Sequence, residues 1–280
     1  MKEIILLPIG GLANRMLAIS FFALYCLKGE KKLTVIWTKD KFLNCSFKYL
    51  FEHPQLQNVE IKDATLKDLI LNDRPKKRNF KLTRFMHPFF YQRRVYENEY
   101  NRLVVDIEYQ KSFFKEIEQY SKTFIVGVCH PYYIENMMSI FKPNNKLKTK
   151  IDELVSTFPS NTIGIHIRRT DNINCIKESP IDLFIDKINH EIEQDKNVSF
   201  LVASDSIKEK KELINLFGNK IITSLKDVRR DKPESIQEAL IELYSLSLTK
   251  KIYGSYSSTF SHVAGMLNNK PITLLRLDNI

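Results

Sequence analysis

TIGIHIRRTD, residues 162–171, decides how this chain is read. Thr162 to Ile167 is short and dominated by β-branched side chains, the composition of a buried strand. It runs straight into Arg168, Arg169, Thr170 and Asp171. On either side lie helical patterns, Leu147 to Phe158 before it and Ile181 to Glu193 after it. The cycle then repeats: strand Val198 to Ala203, helix Lys208 to Phe217, strand Lys220 to Thr223, helix Glu234 to Ser247, strand Lys251 to Tyr253, helix Ser258 to Leu267, strand Pro271 to Leu275. Strands that alternate with helices predict a parallel sheet covered on both faces, an α/β fold.

The N-terminal half starts the same way and then loses its rhythm. Glu3 to Pro8 reads as a strand, Leu12 to Lys28 as a helix after a glycine turn, and Leu33 to Thr38 as a second strand. Val59 to Ile61 and Thr123 to Val128 are further strand candidates, and Leu66 to Leu71 a short helix. Pro143-Asn144-Asn145 is the expected boundary. It divides the chain into residues 1–145, which carry a basic aromatic insertion at 74–96, and residues 146–280, the more regular half.

In doubly wound sheets, ligands sit beyond the carboxyl ends of the strands, so the residues that fill those turns carry the functional argument. Arg168 and Arg169 offer forked donors that match phosphate oxygens and can offset the charge of a departing diphosphate. A surface ion-pair cluster is the plainer alternative. Ser204 and Asp205 follow the next strand. The acid there can accept from ribose hydroxyls or guanine N–H groups, or the pair can simply cap the next helix. Gly254 is followed by Ser255, Tyr256, Ser257, Ser258, Thr259 and Phe260, a glycine and hydroxyls at a helix start, which suits an anion or plain capping. Gly10-Gly11-Leu12-Ala13-Asn14-Arg15 fills the first turn of the chain. It lacks the spacing of the dinucleotide and Walker motifs. Its glycines allow close backbone approach to a ligand, or only a chain reversal.

His166-Ile167-Arg168-Arg169-Thr170-Asp171 resembles the His-x-Arg-Arg-x-Asp signature of the α1,2-, α1,6- and protein O-fucosyltransferases, nodulation-type bacterial enzymes included. The Gly10–Arg15 turn resembles their N-terminal motif, and Ala203-Ser204-Asp205 and Ser257-Ser258-Thr259-Phe260 resemble their second and third donor motifs. The four blocks occur in the family's order and span Gly10 to Phe260.

The resemblance implies a GT-B-like fold, two Rossmann-like α/β domains facing a cleft, with the donor held by the C-terminal domain and the acceptor by the N-terminal one. It implies inverting transfer of a sugar, L-fucose from GDP-fucose being the leading choice, onto a glycan acceptor without metal or cofactor. Arg168 would contact the diphosphate, and Ser258, Thr259 and Phe260 would flank it. His166 and Asp205 would hold the nucleoside. Asn14 and Arg15 would face the sugar or diphosphate, and Arg169 and Asp171 would pair with each other. Glu178 is the nearest match to the carboxylate that some relatives use as a base; a charge capping the following helix is its other reading. A non-catalytic nucleotide-sugar or glycan-binding protein of the same fold is the alternative.

Composition narrows the class further. The 43% hydrophobic and 27% charged residues fit a globular protein. Four separated cysteines, Cys26, Cys45, Cys129 and Cys175, give neither a zinc pattern nor a disulfide framework. Met16 to Leu27 has 12 residues, short of the ~20 needed to cross a bilayer. A cytoplasmic protein is expected, with peripheral contact at the inner face of the membrane as one option. Of the net charge of +10, Arg74 to Tyr96 supplies eight cations and no acid, interleaved with Phe80, Phe85, Phe89, Phe90, Tyr91 and Tyr96. This segment reads as a dock for an anionic membrane that brings the enzyme to a lipid-linked acceptor, or as a nucleic-acid site, or as a solvated face with its rings in the core. Nucleic acid is not expected, because the charge is local to that one segment.

Overall fold

The computed structural model describes residues 2–71, 81–128, 137–170, 173–226 and 229–277. The chain divides into two compact units, Met1–Lys142 and Pro143–Ile280. In each, a five-stranded sheet is built wholly from parallel pairs. The expected α/β fold, two doubly wound Rossmann-like halves, is what the chain adopts.

In the first unit, β1 (Glu3–Pro8) is central, and the order is β3-β2-β1-β5-β4, with β2 Lys32–Trp37, β3 Val59–Asp63, β4 Arg93–Val95 and β5 Lys122–Gly127. Their register pairs Ile4 with Leu33 on one side and with Thr123 on the other. Ile5, Leu7, Ile9, Ile36, Tyr91, Phe124 and Val126 form one core cluster. Helix Leu12–Lys28 follows β1 directly and buries much of its length, from Leu12 to Cys26.

Strand β4 lies in the segment expected to be a basic insertion, and two helices follow it, Glu97–Val105 and Ile107–Ile117. Its charges are accommodated by pairing. Arg93 meets Glu116 at 2.7 Å and also Glu99, while Val95 alone of the three strand residues is fully buried.

The second unit has the order β10-β9-β6-β7-β8, with β6 Ile163–Ile167, β7 Phe200–Ser204, β8 Ile221–Ile222, β9 Ile252–Ser255 and β10 Ile272–Leu275. Ile163, Ile165 and Ile167 point to one face and pack with Phe184, Ile188, Phe200 and Val202. The glycines of this sheet admit close neighbours. A Cβ on Gly164 would lie 2.8 Å from Thr249 Oγ1, and one on Gly254 would lie 2.3 Å from Ser261 Oγ.

Cys26, Cys45 and Cys175 are buried free thiols, and Cys129 lies outside the described residues. Among the described residues no helix is long and apolar enough to cross a membrane.

Candidate active site

In the second sheet the strand order reverses about β6, whose neighbours are β7 and β9. Such a reversal leaves a crevice at the strands' carboxyl ends, because the connections on its two sides leave in opposite directions. The turns that follow β6, β7 and β9 hold the Arg168 loop, Ser204-Asp205 and Ser255 to Phe260.

Serine side chains tie these turns together. The Arg168 N–H donates to Ser255 Oγ at 3.0 Å, and the Ser255 hydroxyl reaches back to the His166 carbonyl at 3.4 Å. This bridges the ends of β6 and β9. Ser179, fully buried, links three segments: its hydroxyl donates to the Leu275 carbonyl (2.6 Å) and accepts from the Tyr256 N–H (2.8 Å), while its carbonyl accepts from Arg169 Nη2 (2.9 Å).

Asp205 gathers the arginine loop. Its Oδ1 accepts from the Arg169 N–H at 2.7 Å, and its Oδ2 accepts from the Thr170 hydroxyl at 2.6 Å and the Thr170 N–H at 3.3 Å. Arg168 Nη1 lies 2.9 Å from the same Oδ2. The carboxylate expected to hold the nucleoside is thus committed to the loop's backbone and to Arg168. Nor does it cap the next helix: residue Ser206 precedes Ile207–Phe217, and no side chain caps there. Ser204 is buried and accepts from the Ser206 N–H at 3.1 Å.

Arg169 was expected to pair with Asp171. Among the described residues its partners are Glu209 at 3.6 Å, the Arg168 carbonyl at 2.8 Å and the Ser179 carbonyl, with the guanidinium 5.9 Å from the Phe184 ring centre. A guanidinium held so firmly shapes the loop, whereas Arg168 points to the Asp205 side of it. Asp171 lies outside the described residues.

His166 is buried. Its Nδ1 is 2.8 Å from Ser261 Oγ, and its ring stacks on Phe260 with centroids 4.6 Å apart and planes 21° from parallel. Burial holds the imidazole far below its ordinary value; Asp205 opposes that shift, and Arg168 and Lys210 add to it. The side chain is therefore a neutral fastener between β6 and helix Thr259–Leu267. That helix starts after Ser258, whose side chain does not cap it. Ser257 is exposed and left-handed (φ 58°), Ser258 is buried, and Thr259 and Phe260 are half-buried. The N–H groups at a helix start form an anion-binding feature.

Glu178 ends the short helix Ile173–Glu178 and faces Arg276 at 3.7 Å. It ends one helix rather than opening the next.

In the first unit the glycine turn after β1 is also at a strand-order reversal, between β2 and β5. Gly10 has φ +91°, a conformation that favours glycine, and a Cβ there would lie 2.9 Å from Asn14 Nδ2. Gly11 opens the helix without a side-chain cap, and a Cβ on it would meet nothing within 4 Å. Asn14 is half-buried beside the turn.

Arg15 is turned inward. It is fully buried; its Nε donates to the Gly10 carbonyl at 2.9 Å, its Nη2 lies 3.0 Å from Asp40, and its guanidinium stands 5.2 Å from the Trp37 ring centre. It braces the glycine turn from inside. The motif at this turn implies a ligand-facing arginine, and only Asp40 and the buried Trp37 around it reveal the structural role.

No family model and no curated protein matches the chain. Solved structures do. A mutant of Arabidopsis thaliana FUT1 in complex with GDP superposes with a TM-score of 0.63 at 18% identity, over 98% of this chain and 70% of that one. The NodZ alpha-1,6-fucosyltransferase soaked with GDP-fucose gives 0.63 at 16% identity, covering 100% of this chain and 97% of that one. POFUT1 in complex with GDP gives 0.58 at 11% identity and covers 98% of each. This chain has the GT-B-type fold of these fucosyltransferases. Within that GT-B-type fold, the residues at the second unit's strand reversal are the arginine loop and the helix start described above.

Ser179, Ser255 and Ser261 were not singled out in the sequence. A serine carries no charge and has no fixed spacing, so little marks it. Ser255 alone had a signal, since it is the residue between a strand-end glycine and the hydroxyl run.

Proposed function

We propose that the chain is an inverting glycosyltransferase that moves a sugar, with GDP-fucose as the leading donor, onto the hydroxyl of a glycan acceptor. The second unit takes the nucleotide and the first faces the acceptor. The observation that carries this reading is Arg168, fixed by its backbone to Ser255 and poised through its side chain against Asp205 at the reversal of a doubly wound sheet.

In this reaction the acceptor oxygen bonds to the sugar C1 as the C1–O bond to the diphosphate breaks. The electron pair stays on the β-phosphate oxygen, and the acceptor proton passes to a general base. The ion pair with Arg276 disfavours Glu178 for that role. Negative charge grows on the departing diphosphate, and a guanidinium held at hydrogen-bonding distance lowers the energy of that state more than that of the bound donor. We assign that guanidinium to Arg168, with N–H groups at the start of helix Thr259–Leu267 sharing the phosphate oxygens. The mechanism calls for no metal.

A thermal-shift panel of nucleotide sugars in EDTA tests this. GDP and GDP-fucose are expected to raise the melting temperature where UDP- and CMP-sugars do not, and a glycan screen with the best donor should then release GDP. Stabilisation that appears only with a divalent ion would overturn the metal-free mechanism. The second reading, a binding protein without turnover, draws on the engaged state of Glu178. It predicts stabilisation by GDP-fucose with no GDP release in the presence of any acceptor.

A further inference from the structure

Helices Leu66–Leu71 and Lys81–Phe90 of the first unit turn large apolar side chains to water. Leu66 is 74% exposed, Ile70 54%, Phe85 67% and Phe89 71%, and Phe90 is exposed as well. Phe85 and Phe89, one helical turn apart, pack edge to face with ring centroids 5.8 Å apart. The same helix buries its histidine instead. His87 is fully enclosed: its Nδ1 is 2.7 Å from the Tyr96 hydroxyl, its Nε2 contacts the Leu71 carbonyl, and its ring lies 5.0 Å from that of Phe124. That anchor fixes the helix's rotation, so the phenyl rings cannot turn inward. A soluble helix ordinarily does the reverse, and apolar side chains clustered at a surface mark a place where something docks.

Charge identifies the occupant. In the sequence, residues 72–80 hold Arg74, Lys76, Lys77 and Arg78 against Asp73 alone, and Lys81 and Arg84 follow. Lys67 is exposed on the first helix. The one acid there, Asp68, is engaged by Thr65 and by Lys62 at 3.5 Å. Tyr91 and Arg93, by contrast, leave this set: Tyr91 is in the core, and Arg93 is spent on Glu99 and Glu116. Exposed aromatic and aliphatic side chains in a cation-rich stretch of sequence match a bilayer with anionic headgroups, where rings enter the acyl boundary and cations stay at the phosphates. A second copy would bring like charges face to face. A single-stranded nucleic acid needs flat rings open for stacking, and in this pair the edge of one ring covers a face of the other.

We propose that these two helices dock the protein on an anionic membrane surface, with Phe85 and Phe89 as the inserting side chains. This inference does not depend on the transferase reading.

Flotation of the full chain tests it, with vesicles of phosphatidylcholine alone or with phosphatidylglycerol added, and with the Phe85→Ser/Phe89→Ser variant. Both rings are exposed, so an unchanged thermal melt checks that the variant folds. The expected result is flotation with anionic vesicles and not with neutral ones, weakened by salt, and roughly tenfold weaker for the double variant. Three results would overturn the proposal: no flotation with anionic vesicles, flotation that the double variant leaves unchanged, or self-association in solution that the double variant abolishes. Salt-sensitive binding to RNA without any preference for anionic vesicles would also overturn it, in favour of a nucleic-acid face.

Discussion

Arg168 and Asp205 stand 2.9 Å apart, so a diphosphate that takes Arg168 must compete with a carboxylate already in place. The competition is asymmetric, because Asp205 keeps its bonds to the Arg169 and Thr170 backbone when the guanidinium swings away. Replacing Arg168 with Ala is therefore expected to leave the loop and the melting temperature largely unchanged while lowering kcat by about 10²–10³-fold, the range found when one charge-stabilising donor is removed. Steady-state kinetics with a matched thermal melt checks this, and near-normal turnover would reject the assigned role. Glu178→Gln should change the rate by less than about threefold, since its ion pair with Arg276 is a half-buried structural contact still partly screened by solvent. The glycine turn offers a paired test. Gly10→Ala must strain a φ of +91° and crowd Asn14, and is expected to cost about 1–3 kcal/mol of stability. Gly11→Ala adds a methyl group in open space and should fold normally. If the donor approaches this turn closely, Gly11→Ala weakens GDP-fucose binding with no loss of stability; isothermal titration would show an unchanged affinity if it does not.

At the scale of elements, the pair of helices Ile207–Phe217 and Pro233–Ser247 depends on a buried charge. Lys210 is fully enclosed, bonds Glu242 and donates to the Ser224 carbonyl at 2.9 Å. Burial pushes the Glu242 carboxyl up to about 7, and Lys210 opposes the shift. The sign follows from linkage: with a folded value above the unfolded one near 4.5, this group costs stability progressively as pH rises from there to about 7, and no further beyond. Lys210→Met strands a carboxylate and is expected to cost about 3–5 kcal/mol near neutral pH, whereas Lys210→Met/Glu242→Leu should recover most of it. Urea melts at acid and neutral pH distinguish the two, and a double variant as weak as the single one would refute the account.

This pair had no signature in the sequence, because a Lys and a Glu 32 residues apart look like any two surface charges. The strands were legible for the opposite reason. A run such as Phe200 to Ala203 is buried on both faces and apolar throughout, so the local composition reports the burial. Strand β4 escaped notice because its Arg93 is neutralised by Glu99 and Glu116, residues that lie on later helices. The site behaved alike. The turns were visible as charged and glycine-rich punctuation at strand ends, but the destinations of Arg15, Arg169 and Asp205 were not. Each is set by a partner that is distant in sequence or carried by backbone, namely Asp40, Ser179 and the loop's own N–H groups.

For the molecule as a whole, two units of similar architecture carry unequal chemistry. Both have a turn at the strand reversal held by an arginine and an acid, and the second adds a buried neutral imidazole. If nucleotide binding belongs to that unit, GDP alone should slow amide exchange at residues 166–170, 204–207 and 255–262, where serines and Asp205 join three turns. The rest of the first unit should exchange as before, apart from the turn at residues 10–14 if it meets the diphosphate. Because the His166 imidazole is already neutral, this protection should show no histidine titration between about pH 5.5 and 8. Hydrogen exchange followed by mass spectrometry resolves each of these segments. Protection confined to the first unit, or a GDP affinity that follows an ordinary histidine titration, would separate Arg168 from the nucleotide and leave its pairing with Asp205 as a purely structural bond.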